Sequence, residues 1–343
     1  MKKIGVLTSG GDTPGMNSAI RAVFKEADAR GMDVMGIFHG YKGLIEGRIR
    51  QLTHEDVANV MHKGGTVLRT ARSSEFMQDG GFEKALNMLR AYDIDGLIII
   101  GGDGSYRGAK KLYENGIMTI GLPGTIDNDM GYTDFTIGFT TAVNTITDEI
   151  YKIRDTMRAH DRVGVVEVMG RNCGDIAMKT AMATGAEMLI VPEVEWDVDE
   201  VAARLNRLIE QGNTRATLVI SEHCWDNMKP FDWRKFLNDN GKTVYPGEPI
   251  SAEYLASILK RKCGGAEVRS TVIGYTQRGA QPTAQDSAFA FEAGHQAVQL
   301  LNRGIANQAI GIRHGRVFNM PIIDALSMKK TFDREMYNLI NKL

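Results

Sequence analysis

Short apolar runs closed by glycine and small polar residues alternate along the chain with longer stretches of helical periodicity. Residues 3–8 end in Ser9-Gly10-Gly11-Asp12, residues 96–100 in Gly101-Gly102-Asp103-Gly104, and residues 118–122 in Pro123-Gly124-Thr125-Ile126-Asp127-Asn128-Asp129. Apolar runs of this length, bounded by turn residues, predict strands buried on both faces. Helices are predicted behind them over 16–30, 105–114 and 140–157. The alternation continues with strands at 162–168, 188–191 and 216–220 and helices at 173–184 and 198–211. Strand, turn and helix repeated in this order predict right-handed βαβ units, hence an α/β chain with mostly parallel sheets and helices on both faces. Over 222–248 the pattern breaks. Trp225, Trp233, two prolines and Asn238-Asp239-Asn240-Gly241 predict a loop-rich excursion in which the tryptophans pack locally. Beyond it come a helix at 250–262, a strand at 268–275 and a long helix at 286–303.

Composition narrows the class. A length of 343 residues suggests two domains, and 43% hydrophobic with 24% charged residues excludes a disordered or coiled-coil chain. Lys and Arg total 41 against 42 Asp and Glu, so wholesale binding to nucleic acid or an anionic membrane is not expected, although a local basic pocket is. Cys173, Cys224 and Cys263 lack metal-type spacing and predict buried, reduced thiols. The first residues contain no secretory apolar region and no membrane-spanning run, so a soluble, cytoplasmic protein is expected.

In open parallel sheets ligands bind beyond the carboxyl ends of the strands, which directs attention to the three Gly/Asp turns. Glycines let backbone N–H groups approach a phosphate, and the helix that follows adds its dipole. Aspartate repels an anion unless a hard cation lies between them. Asp103 inside such a turn therefore implies a Mg²⁺–nucleotide. Asp127 and Asp129 share a turn with Thr125 and suit the removal of a proton from an acceptor hydroxyl. Arg72 and Arg171, in glycine-flanked loops, suit the charge of a transferring phosphoryl group. The dinucleotide fingerprint fails at 102–108, and Phe236 occupies the position where a phosphate-binding loop ending at Asn240-Gly241-Lys242-Thr243 needs glycine.

These segments, with Pro14-Gly15-Met16-Asn17, Val166-Glu167-Val168-Met169-Gly170-Arg171 and Gln277-Arg278-Gly279, closely resemble the bacterial ATP-dependent phosphofructokinase family. The resemblance runs from the first residues to about 320, and Pro-Gly-Thr-Ile-Asp-Asn-Asp is its most specific part. It implies two Rossmann-like domains with the active site in the cleft between them. The larger, ATP-binding domain would be 1–138 plus about 277–327, and the smaller, sugar-phosphate domain 139–276 plus about 328–343. It implies phosphoryl transfer from ATP, with Mg²⁺, to the 1-hydroxyl of fructose 6-phosphate, a glycolytic step. Asp127 would be the general base, Thr125 would orient the transferred group, Arg171 would offset transition-state charge, and Asp103 would hold the metal. Gly11, Tyr41, Arg72, Gly102, Gly104, Ser105 and Gly108 would surround ATP. Arg162, Arg269 and Arg278 would grip the sugar phosphate, and Thr125, Asp127, Met169, Gly170 and Glu222 would line the sugar. In the family the residues matching Arg162 and Arg269 come from a neighbouring subunit, which implies a homotetramer.

Departures from the family pattern cluster near the sugar. Tyr275 stands where the family has His, Ala280 follows Gly279, Ser287 follows Asp286, and the interval between Glu222 and Arg269 is longer than in compact relatives. Another ketose phosphate, such as sedoheptulose 7-phosphate, is the alternative acceptor, and a non-catalytic regulatory homologue the alternative role. Pyrophosphate-using relatives carry Asp at the position of Gly104 and Lys at that of Gly124, so the two glycines favour ATP. At the family's effector site Arg21, Lys25, Arg154, Glu187 and Arg215 supply matching or charge-keeping positions. Gln211, Asn213 and Thr214 replace a lysine cluster there and His54 an arginine, which predicts blunted allosteric control.

Overall fold

A computed structural model describes residues 1–342. The strands are β1 (Lys3–Ser9), β2 (Asp33–Ile37), β3 (Ile49–Gln51), β4 (Gly96–Gly101), β5 (Met118–Pro123), β6 (Val163–Val168), β7 (Met188–Ile190), β8 (Thr217–Ser221), β9 (Val268–Val272), β10 (Gln308–Arg313) and β11 (Arg316–Pro321). The helices are α1 (Met16–Asp28), α2 (Gly40–Ile45), α3 (Asp79–Ala91), α4 (Asp103–Glu114), α5 (Phe139–Arg158), α6 (Asp175–Thr184), α7 (Val198–Glu210), α8 (Trp233–Asp239), α9 (Ala252–Lys262), α10 (Thr276–Gly279), α11 (Ala284–Asn302), α12 (Ile322–Ser327) and α13 (Arg334–Ile340). Among the described residues no helix is long and apolar enough to cross a membrane. The chain divides into two compact units, one of Met1–Ala142 with Arg278–Thr331, the other of Val143–Gln277 with the segment from Phe332.

In the first unit a seven-stranded sheet has the order β11-β10-β5-β4-β1-β2-β3. Its centre is parallel, and antiparallel pairs, β2 with β3 and β10 with β11, close both edges. Successive residues of β4 show why this sheet needs helices on both sides. Ile98 and Ile100 pack into one apolar cluster with Ile20 and Val298, whereas Leu97 and Ile99 pack into another with Leu44 and Leu89. α1 and α11 cover the first face at close range, because a Cβ at Gly294 would come within 2.6 Å of the Ala19 carbonyl oxygen.

The second unit carries a wholly parallel sheet in the order β7-β8-β6-β9. Leu205 and Leu208 of α7 and Leu255 and Leu259 of α9 bury against it. The Asp197 carboxylate caps α7, accepting from Asp199 N at 2.7 Å.

Several elements differ from the sequence expectation. α4 begins at Asp103 rather than Ser105, so Asp103 belongs to the first helical turn. The strand expected to 275 ends at Val272, leaving Tyr275 beyond it. Within the excursion α8 forms, and the tryptophans part company: Trp225 packs edge-on against Trp196, and Trp233 lies tilted against Tyr254. Burial raises the Cys224 thiol well above its ordinary pKa and pushes Cys263 up to about 11, so both stay protonated.

A buried tyrosine pair ties α4 to the segment after β5. Tyr106 and Tyr132 share a 2.8 Å hydroxyl contact, and Tyr132 donates to the Ile310 carbonyl at 2.8 Å. Both rings are fully buried and need glycine opposite: a Cβ at Gly121 would lie 2.6 Å from Tyr106, one at Gly311 2.7 Å from Tyr132. Burial raises both phenols above their ordinary pKa, so the fold keeps the neutral form. Their contribution is therefore intact below about pH 10 and is lost as pH rises beyond it. Tyr132→Phe is expected to cost about 1–2 kcal/mol in urea denaturation at neutral pH. It should also make the alkaline fall shallower; an unchanged midpoint would contradict the pairing.

Candidate active site

β5, β4 and β1 lie side by side, with Ser9 opposite Gly101 and Gly101 opposite Pro123, so the three strands end on one level. Hydrogen bonds sew the turns together. Ser105 Oγ donates to the Ser9 carbonyl at 3.2 Å, and Gly124 N to the Gly101 carbonyl at 3.1 Å. A Cβ at Gly101 would come within 2.4 Å of Ser105 Oγ, so the closeness of these turns requires glycine there. Gly10, with φ of 93°, supplies the left-handed residue that turns the chain after β1. The second and third turns abut, since a Cβ at Gly102 would stand 3.6 Å from Thr125 Cβ.

α4 starts at this edge with Gly102 as its N-cap and no side-chain cap; the Ser105 N–H turns back to the Gly102 carbonyl at 2.9 Å, which leaves the Asp103 and Gly104 N–H groups to face an anion. Asp103 is half-exposed and pairs with Arg107, Oδ2 to Nε at 2.9 Å. Tyr41 is buried, stacks on Phe76 and donates to the Ser105 carbonyl at 2.6 Å. Its ring fills the place where a Gly108 Cβ would come within 2.7 Å. The loop carrying Arg72 is anchored by Thr70 Oγ1, which donates to the Gly10 carbonyl at 2.9 Å; Arg72 itself is exposed. Gly104 differs from these glycines: a Cβ there meets nothing within 4 Å. Gly124 has no such room, its Cβ falling 2.9 Å from Ile100, so packing alone accounts for glycine at 124.

On the third turn Asp127 is buried, and its N–H donates to Thr125 Oγ1 at 3.2 Å. Thr136 fixes the turn, donating to the Thr125 carbonyl at 2.5 Å and, through its N–H, to Asn128 Oδ1 at 3.0 Å. Arg278 bridges the first and third turns. Its Nη1 donates to the Asp12 carbonyl at 3.1 Å, and its Nη2 stands 4.0 Å from Asp127 Oδ1. Among the described residues no three His, Cys, Asp or Glu side chains form a metal cage. A single carboxylate beside unengaged backbone N–H groups would suit a cation that arrives with phosphates, as Mg²⁺ does. Asp286, grouped above with the sugar side, instead caps α5. Fully buried, it accepts from Gly138 N at 3.0 Å and Thr141 N at 2.7 Å.

In the second unit Met169, Gly170, Arg171 and Glu222 gather at the carboxyl ends of β6 and β8. Glu222 Oε1 accepts from Arg171 N at 2.9 Å, and the buried Gln277 accepts from Met169 N at 3.2 Å. Burial, and secondarily Glu222, raises the Glu167 carboxyl above its ordinary pKa. Tyr275 is 85% exposed. Arg162 and Arg269 are not with this group. They stand at the amino ends of β6 and β9, where Arg269 pairs with Glu267 at 3.2 Å, about a strand length or ~20 Å away. The expected effector residues are divided between the two units. Arg21, donating to the Val57 carbonyl at 2.5 Å, and Lys25 lie on α1 in the first unit. In the second, Arg154 pairs with Glu187 at 3.2 Å and donates to the Thr184 and Gly185 carbonyls, while Arg215 stands 3.9 Å from Asp161.

A family model described as Phosphofructokinase matches residues 3–301. The chain is 47% identical over 339 residues to the ATP-dependent 6-phosphofructokinase of Alkaliphilus metalliredigens (strain QYMF), an alignment covering 99% of this chain and 98% of that one. It is 44% identical over 343 residues to ATP-dependent 6-phosphofructokinase 1 of Clostridium perfringens (strain 13 / Type A), covering 100% and 99%. A phosphofructokinase structure from Saccharomyces cerevisiae superposes with a TM-score of 0.83 at 30% identity over 99% of this chain, which spans 50% of the yeast chain. The pyrophosphate-dependent phosphofructokinase of Marinobacter aquaeolei shares the fold, with a TM-score of 0.81 at 19% identity over 99% of this chain and 91% of that one.

A Cβ at Gly11 would fall 2.7 Å from Arg278 Nη1, so Gly11→Ala should push the guanidinium away from Asp127. Its kcat/KM for fructose 6-phosphate, the acceptor implied by the resemblance, is expected to fall about tenfold. In the Arg278→Ala background the same change should add little; independent, multiplying losses would contradict the coupling.

Proposed function

The chain belongs to the phosphofructokinase family, and from that premise we propose how its residues carry out phosphoryl transfer from ATP to fructose 6-phosphate. The observation that carries the reading is the level ending of β1, β4 and β5. It sets N–H donors of two turns, the Asp103 carboxylate and the Thr125–Asp127 turn along one sheet edge. The triphosphate lies across the 9–11 and 102–105 turns, where the α4 N-terminus favours negative charge. Asp103, once released from Arg107, would hold Mg²⁺, which would supply neutralisation of the phosphate oxygens. Asp127 takes the proton of the sugar 1-hydroxyl, Thr125 orients the transferred group, and Arg278 holds charge beside both. The transition state is loose, so positioning and charge compensation account for most of the rate.

Toward the sugar we assign Met169, Gly170 and Glu222, with Arg171 as the cation for the transferring group. Arg162 and Arg269 lie too far along β6 and β9 to join Met169 and Glu222 of the same chain. A second copy must supply them if they bind the sugar phosphate, which supports a homo-oligomer, and the family resemblance implies a tetramer. A cytoplasmic location fits buried thiols at Cys224 and Cys263 that form no disulfide. Weak effector control fits the engagement of Arg154 by Glu187 and two carbonyls.

Asp127→Ser should lower turnover by about 10²–10⁴, and a variant within about threefold of the parent would end the general-base assignment. The donor has its own test at Gly104, the glycine that packing does not explain. Gly104→Asp should keep the parent's unfolding midpoint while raising KM for ATP about tenfold or more, because the new carboxylate faces the phosphates. An unchanged KM would remove the nucleotide from this turn.

A further inference from the structure

We propose that a cavity at the outer end of the first sheet is a second anion-binding site, built for a phosphate monoester that carries an aromatic or other apolar portion. The cavity, of about 470 Å³, opens where β2 ends and β3 begins. That volume is in the range of small-molecule sites. Phe38, Ile49 and Val67 form its apolar wall, while His39, Arg48, Arg50 and Arg69 supply its polar lining. None of the residues assigned to ATP lines it.

Its charge does not cancel. Arg48 pairs with Glu46 at 2.6 Å, and Arg50 holds Asp56 through two contacts while lying 4.9 Å over the Phe38 ring. Both side chains remain about half exposed, with N–H donors unused. Among the described residues the Arg69 guanidinium and the His39 ring have no hydrogen-bond or ionic partner. Three guanidiniums thus face two carboxylates.

The backbone bears a cost at the same place. His39 and Arg69 both adopt the left-handed conformation, with φ of 64° and 56°, and His39 N donates to the Leu68 carbonyl at 2.9 Å, which brings the two together. Glycine or asparagine suits the Arg69 position better, so a long cationic side chain there, with the His39 imidazole beside it, points to use of those side chains. One uncompensated arginine and two partly engaged ones match a single phosphoryl group, which guanidinium binds bidentately. Glu46 and Asp56 oppose a more highly charged polyphosphate. The apolar wall takes the remainder of the ligand.

The test is calorimetric titration of the full chain, saturated with a non-hydrolysable Mg²⁺–ATP analogue and fructose 6-phosphate, using AMP and, in parallel, inorganic phosphate as probes. Arg69→Gly and His39→Asn are the informative variants, because both suit the local backbone and neither residue belongs to the catalytic machinery. AMP should bind the parent at least tenfold more tightly than inorganic phosphate does, and Arg69→Gly should weaken AMP at least tenfold, with turnover in its absence unchanged. Failure of AMP to bind, or equal AMP affinity in parent and both variants, would overturn the site. Equal affinity for AMP and inorganic phosphate would overturn the apolar component. The comparison between variants holds whether or not the analogue occupies the active site, so its failure is distinguishable from failure of the phosphofructokinase reading.

Discussion

The common level at which β1, β4 and β5 stop is the constraint from which the site follows. A parallel sheet buried on both faces has its register fixed by side-chain alternation. Slipping β4 by one residue would exchange Leu97 and Ile99 with Ile98 and Ile100 between two differently packed cores. The apolar interior thus sets the heights of Ser9, Gly101 and Pro123, and with them the spacing of the turns that follow. The polar contacts between Ser105 and Ser9, and between Gly124 and Gly101, then lock a geometry the core has chosen. Chemistry at the edge depends on packing several residues beneath it.

The glycines of the site fall into two physical classes. Gly101, Gly108 and Gly124 are where they are because a side chain would strike Ser105, Tyr41 or Ile100. Gly104 has open space before it, and the fold gives no reason for its lack of a side chain. A ligand approaching the first turn of α4 does give one. This separation sharpens the donor argument: the glycine at 124 carries little information about ATP, and the glycine at 104 carries most of it.

The central strands and the three turns were legible because a strand buried on both faces writes a continuous apolar run and glycine marks its end. The flanking elements were harder. β3 has only three residues, and β10 and β11 alternate weakly at an edge, so neither leaves a strong periodic trace. Asp103 read as a turn residue because Gly104 weakens a helical pattern, although the backbone already winds there. Roles that depend on residues distant in sequence left no local signal. The reach of Arg278 to Asp12 and Asp127, the capping of α5 by Asp286 and the Tyr106–Tyr132 pair exist only once the sheet has assembled. Asp286 drew notice for its neighbour, Ser287, yet its buried carboxylate has a structural task in the first unit.

On the proposed mechanism the carboxyl ends of β1, β4 and β5 bind a metal–nucleotide beside the carboxylate that deprotonates the acceptor. A crystal structure of the full chain with Mg²⁺ and a non-hydrolysable ATP analogue addresses this most directly. The expected result has the phosphates against the backbone N–H groups of 10–11 and 102–104, the metal on the Asp103 carboxylate and the γ-phosphoryl group directed toward Asp127. Phosphates bound elsewhere, with Asp103 still paired to Arg107 and no metal beside it, would contradict it.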